Sequence, residues 1–137
     1  MMEQVQKRNK VMKSFTDIEQ SKKLAEILSL ESADGFYEAQ QNPTTGEWED
    51  LLFVGNEWAS EEVVIPAWSL SALLGVIPKY IEGSNRLRID LDNVDFSIWY
   101  DDLNGYGVND KLPDITLKEP VDACVEMLFK LHEQKLL

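Results

Sequence analysis

Cysteine and histidine are almost missing from this 137-residue sequence, which contains only Cys124 and His132. A lone thiol makes no internal disulfide, which points to a reducing compartment and makes the cytoplasm the expected location. A zinc site of Cys and His ligands within one chain is excluded, because it needs more of them than are present. The two residues do not form a nucleophile and base pair either, since their spacing on a helix separates them by about 12 Å. Long apolar runs are also absent, which excludes a membrane-spanning helix, and the first residues lack the apolar stretch of a secretory signal. Cations are scarce: 13 Lys and Arg stand against 25 Asp and Glu, a net charge of −12. Direct binding of nucleic acid or an anionic membrane, which relies on clustered cations, is therefore not expected. There is no glycine-rich phosphate loop, Gly-x-Ser-x-Gly elbow or His-Glu-x-x-His helix. The expectation is a protein without catalytic residues, cofactor or metal.

What is present suits one globular domain. Hydrophobic residues make up 44% of the chain, enough for a real core at this length. The charge is uneven. Residues 1–13 hold Lys7, Arg8, Lys10 and Lys13 against Glu3, a balance of +3, so residues 14–137 carry −15. The segment 1–13 reads as a polar basic extension and 14–137 as a single domain.

The most apolar stretch, Ile65 to Ile81, is fenced by Pro66 and Pro78. Proline suits the first helical turn and disfavours helix at the residue before it, so a helix is predicted over about 66–77. Leu70, Leu73, Leu74 and Ile77 fall on one face of that helix and form its buried stripe. Thr16 and Glu19 have the spacing of a capping box, predicting a first helix over 16–28. Pro120 opens a third over about 120–134, with Val121, Cys124, Val125, Leu128 and Leu131 inward and His132 near its C-terminal end.

Strands are expected over Phe36 to Gln40 and Glu47 to Val54, joined by the turn chemistry of Asn42-Pro-Thr-Thr-Gly46. Val63 to Ile65 reads as a short third strand. Arg86 to Asp92 and Val94 to Tyr100 alternate polar and apolar residues and predict a second hairpin turning at Asp92-Asn93, with Tyr106 to Val108 pairing back. Asp110 to Lys118 reads as irregular. The order predicts an α+β fold: an antiparallel sheet of about 4–6 strands in two hairpins, with three helices packed mainly on one face.

Three pieces, Phe15-Thr-Asp-Ile-Glu-Gln-Ser-Lys-Lys-Leu-Ala-Glu-Ile-Leu28 with Glu31-Ser-Ala-Asp34, Ile65-Pro-Ala-Trp-Ser-Leu-Ser-Ala-Leu-Leu74, and Pro120-Val-Asp-Ala-Cys-Val-Glu-Met127, resemble a group of short uncharacterised proteins. That group is common in Bacteroidetes genomes and their phages or mobile elements. The resemblance implies a bacterial or phage cytoplasmic protein. It assigns no activity and carries no functional residues with it.

Candidate chemistry therefore reduces to surface recognition. Asp90-Leu-Asp-Asn-Val-Asp95 is faintly like a calcium loop, but lacks the glycine and the bidentate glutamate that such a loop requires, and reads as a solvated strand edge. Of four tryptophans, Trp68 is expected in the core. Trp58 in a polar loop, Trp99 out of phase with Phe96 and Ile98, and Tyr106 are the candidate partner-binding anchors, with Asp101 and Asp102 beside them. Large amphipathic rings are favoured at binding hot spots. The expected function is a non-catalytic module that binds a protein, a basic one being suited to the charge, through this acidic, Trp-bearing surface. Alternatives are an inhibitor that imitates DNA phosphates with its carboxylates, and a small-molecule binder. The oligomeric state is not legible.

Overall fold

The computed structural model describes residues 13–55, 64–105 and 107–137. Its elements, in order, are α1 (Ile18–Leu24), a single 3-10 turn (Leu30–Ser32), β1 (Gly35–Gln41), β2 (Trp48–Val54), β3 (Val64–Ala67), α2 (Leu70–Val76), β4 (Tyr80–Ile81), β5 (Asn85–Leu91), β6 (Phe96–Asp102), β7 (Gly107–Val108), β8 (Ile115–Leu117) and α3 (Pro120–Glu133). The fold is α+β. Its strands divide into two antiparallel sheets where the sequence suggested one. The first has the order β2-β1-β3, and the second runs β4-β5-β6-β7 with β8 also on β6.

The first helix is capped one residue later than expected and ends earlier. Asp17, not Thr16, is its N-cap: the Asp17 carboxylate accepts the Gln20 N–H at 2.8 Å and the Gln20 amide oxygen accepts the Asp17 N–H at 3.0 Å. Thr16 is drawn inward instead. Its N–H donates to the Trp68 carbonyl at 2.9 Å, its hydroxyl accepts the Trp68 N–H at 3.1 Å, and it shares a 2.7 Å hydrogen bond with Ser21. A polar residue spared by a capping box is thus consumed by a main-chain clip, because a buried Trp68 N–H needs a partner.

That clip also corrects the second helix. Residues 64–67 remain extended as β3, with Pro66 opposite Phe36, and the helix begins only at Leu70 with Ser69 as N-cap, accepting the Ala72 N–H at 3.1 Å. Pro66 is tolerated because β3 is an edge strand, which asks nothing of the missing N–H. Asp34 fixes the cap, accepting the Ser69 N–H at 2.8 Å and pairing with its hydroxyl. At the other end Ile77 is extended (φ −72°, ψ 125°), as a residue before proline should be. Leu73 and Ile77 are fully buried and Leu70 and Leu74 half-buried, so the apolar stripe is real on a shorter helix.

In the second sheet β6 is central, pairing β5 on one side and β7 and β8 on the other. Phe96, Ile98 and Tyr100 turn inward beneath Val121, Cys124, Val125, Leu128 and Leu131 of α3, all buried. The β5–β6 turn spans residues 92–95, longer than the two-residue turn expected. The Asp92 carboxylate accepts the N–H groups of both Val94 and Asp95 at 2.7 Å. β8, in the stretch expected to be irregular, pairs Ile115–Leu117 with Ile98–Phe96. Three residues are too few for alternation to declare them. Lys13, placed in the extension by charge, is tied to the body: its N–H donates to Glu119 at 3.0 Å and its ammonium to Asp122 at 2.7 Å. Burial alone would lower the Lys13 pKa, but Asp122 and Asp17 outweigh it and hold the ammonium above its ordinary value.

Candidate functional site

Two of the candidate partner-binding residues, Trp99 and Asp101, meet on the outer face of the second sheet. The Trp99 indole N–H donates to the Asp101 carboxylate at 2.8 Å, and the other oxygen of Asp101 lies 3.6 Å from the Arg88 guanidinium. Arg88 stands opposite Trp99 in the ladder and Arg86 opposite Asp101, so cross-strand pairing assembles the group. Trp99 is half-buried. Asp102 points to the opposite face from Asp101, and its carboxylate caps the following turn through the Asn104 N–H at 2.9 Å. Trp58 and Tyr106 lie outside the described residues. The expected acidic, Trp-bearing surface is therefore, in its described part, a small ion-paired cluster that includes an arginine the sequence reading passed over.

The other candidate groups have structural work. Asp92 spends its carboxylate on two backbone N–H groups, Asp95 and then Val94, which hold it below the usual carboxylate range. Among the described residues no group of three or more His, Cys, Asp or Glu side chains is arranged to hold a metal. His132 is exposed on the last turn of α3. Cys124 is buried in the core, and burial pushes its thiol up to about 12 against a small opposing effect of Lys79. At pH 8 roughly one thiol in ten thousand is then ionised, so the native protein should not react with a disulfide reagent over minutes, while one equivalent reacts in denaturant. Fast reaction of the native protein would place Cys124 outside the core.

No family model, curated protein or solved structure matches this chain. The site has to be read from its own geometry.

The most exposed apolar side chains among the described residues sit elsewhere, on the β1–β2 hairpin. From Ala39 to Leu52 every residue except Asn42 is exposed, so the distal half of the hairpin projects as an arm with no layer of described residues on either side. Its base is pinned by Phe36 stacked on Phe53, ring centres 5.4 Å apart. The arm nonetheless carries Trp48, 70% exposed, with Leu51 and Leu52, and Val54, 79% exposed, at its root. Glu38, Glu47, Glu49 and Asp50 accompany them, and residues 38–52 contain no Lys or Arg. Trp48 is not among the anchors expected from the sequence. Only the register reveals it: Gln41 stands opposite Trp48 and Ala39-Gln40-Gln41 offers no buried face, so a tryptophan paired there is not core.

Proposed function

We propose that the protein is a non-catalytic protein-binding module, of the phage or mobile-element kind that the resemblance implies, and that it grips a basic partner with the β1–β2 arm. The observation that carries this reading is the exposed Trp48, Leu51 and Leu52 on a ribbon that no other described element covers. Large apolar side chains left exposed on both faces of a ribbon are costly to leave in water and favour an interface. A large rigid ring beside a carboxylate suits a partner presenting Arg or Lys, which stacks on the indole and pairs with Asp50 on the same face of β2.

Trp48→Ala should leave the urea midpoint nearly unchanged, a loss within about 0.5 kcal/mol, because the ring contributes little to the fold. The same substitution should abolish capture of the partner in matched pull-downs of wild-type and variant protein read by mass spectrometry. Retained capture by the variant overturns the arm as the binding surface. Charge reversal at Glu49 and Asp50 should slow association and weaken its salt dependence, measured by surface plasmon resonance.

A further inference from the structure

Among the asparagines of the sequence, Asn104 alone is followed by glycine. The pair lies in the turn that leaves β6. Asn104 is exposed, and its side-chain amide has no hydrogen-bond partner among the described residues. Its backbone N–H is held by the Asp102 carboxylate at 2.9 Å. Gly105 takes φ 91°, which glycine adopts freely, and its N–H reaches the Asp102 carbonyl at 3.2 Å, the long limit for such a bond. One weak hydrogen bond on an exposed turn therefore restrains the Gly105 nitrogen, next to a side-chain amide that nothing described holds. The other described asparagines are protected. Asn42 precedes Pro43, which has no N–H, and its amide oxygen accepts the Thr44 and Thr45 N–H groups at 2.8 and 3.2 Å. Asn85 is buried and bonded to Ile81 and Asn109, and the Asn109 amide oxygen accepts the Lys111 N–H. Asn93 is exposed but precedes β-branched Val94, whose N–H is bound to the Asp92 carboxylate at 2.7 Å. Asn9 and Asn56 lie outside the described residues and precede the bulkier Lys10 and Glu57.

We propose that Asn104 is a site of spontaneous modification, at which water converts the side-chain amide to a carboxylate through a cyclic imide formed with Gly105. The Gly105 nitrogen gives up its proton to hydroxide and attacks the side-chain carbonyl carbon of Asn104. The new C–N bond closes a five-membered ring, and the side-chain nitrogen takes up a proton and leaves as ammonia. Water then opens the ring at either carbonyl. Breaking the new bond leaves aspartate, whereas breaking the original main-chain bond leaves isoaspartate, with the chain continuing through the former side chain. In balance one water is consumed and one ammonia released, with no oxidant, reductant or enzyme. Glycine permits the attack because it puts no side chain in the way and lets the turn swing into the ring geometry. Each product carries one more negative charge than asparagine. Isoaspartate also lengthens the main chain by one carbon just ahead of β7, which holds β6 only through Val108 on Asp101 and Gly107 on Asp102. The new carboxylate stands beside that of Asp102, so the turn closes less well and β7 loosens. The inference is independent of the β1–β2 arm.

The test incubates the full-length protein at mildly alkaline pH and body temperature, beside a free peptide of residues 101–107 as the unrestrained reference. Samples are resolved by isoelectric focusing, and isoaspartyl residues are labelled with an isoaspartyl carboxyl methyltransferase and located by peptide mapping. A species richer by one negative charge should accumulate, faster as the pH rises, with the label on the peptide that contains residue 104. Asn104→Gln, whose longer side chain would have to close a less favourable six-membered ring, should lose both the charge shift and the label. No label at residue 104 by the time the free peptide is fully converted overturns the site, as does label at Asn93 in its place or an unchanged charge shift in Asn104→Gln. In the converted protein the Asn109 N–H, which donates to the Tyr100 carbonyl at 3.1 Å, should lose protection from hydrogen exchange. Unaltered protection there overturns the loosening of β7.

Discussion

Replacing Trp68 by alanine is expected to destabilise the protein by about 3–5 kcal/mol, the usual cost of emptying a large aromatic site in a core. Trp68 has 0% exposure, and its indole N–H donates to the Ser32 hydroxyl at 2.9 Å. The substitution leaves a cavity, removes one donor from a Ser32 hydroxyl that still donates to the Ser29 carbonyl at 2.6 Å, and loosens the segment whose main chain clips Thr16. A domain of this size has a net stability of about 5–15 kcal/mol, so the variant should unfold early in urea. Trp68→Phe keeps most of the volume and should lose less. A loss below about 1 kcal/mol for Trp68→Ala would contradict the packing described. Trp48→Ala is the internal contrast, since the same substitution on the arm should cost almost nothing.

Leu73→Ala is expected to cost about 2–5 kcal/mol, whereas Leu74→Ala, one position along, should cost about half that or less. Both lie in α2. Leu73 is fully buried in the core, but Leu74 is only half-buried and forms a wall of a cleft beside β5. Equal costs, read from chemical denaturation with the m-value held, would mean that α2 is rotated from the orientation described here.

The contrast between those two leucines shows where a sequence stops speaking. Periodicity put Leu70, Leu73, Leu74 and Ile77 on one face, and they are on one face. It carries no information on which edge of that face meets α3. The long final helix and both hairpins were legible for the same reason, because each repeats its pattern often enough to be read. β4 and β8, of two and three residues, repeat nothing. Thr16 and Pro66 misled by having two compatible uses each. Thr16 suits an N-cap but was needed by a main-chain N–H distant in sequence, and Pro66 suits a helix start but also an edge strand. The candidate surface was legible in part. Trp99 and Asp101 do come together, while Arg88 and Trp48 become visible only once cross-strand register is known, and register is a property of two strands.

The tie between Lys13 and α3 has a consequence for the order in which a ribosome can build this protein. Thr16 meets Trp68 across 52 residues, whereas the Lys13 N–H waits for Glu119, 106 residues further on, and its ammonium for Asp122. At about 5–20 residues per second, the second partner emerges several seconds after the first. The same N-terminal stretch is therefore caught twice during synthesis, first by the segment leading into α2 and then by the start of α3. Between those events the first sheet can already be complete, while the strands of the second await the helix that covers them. The arrival of α3 seals the core and the N-terminal tie together.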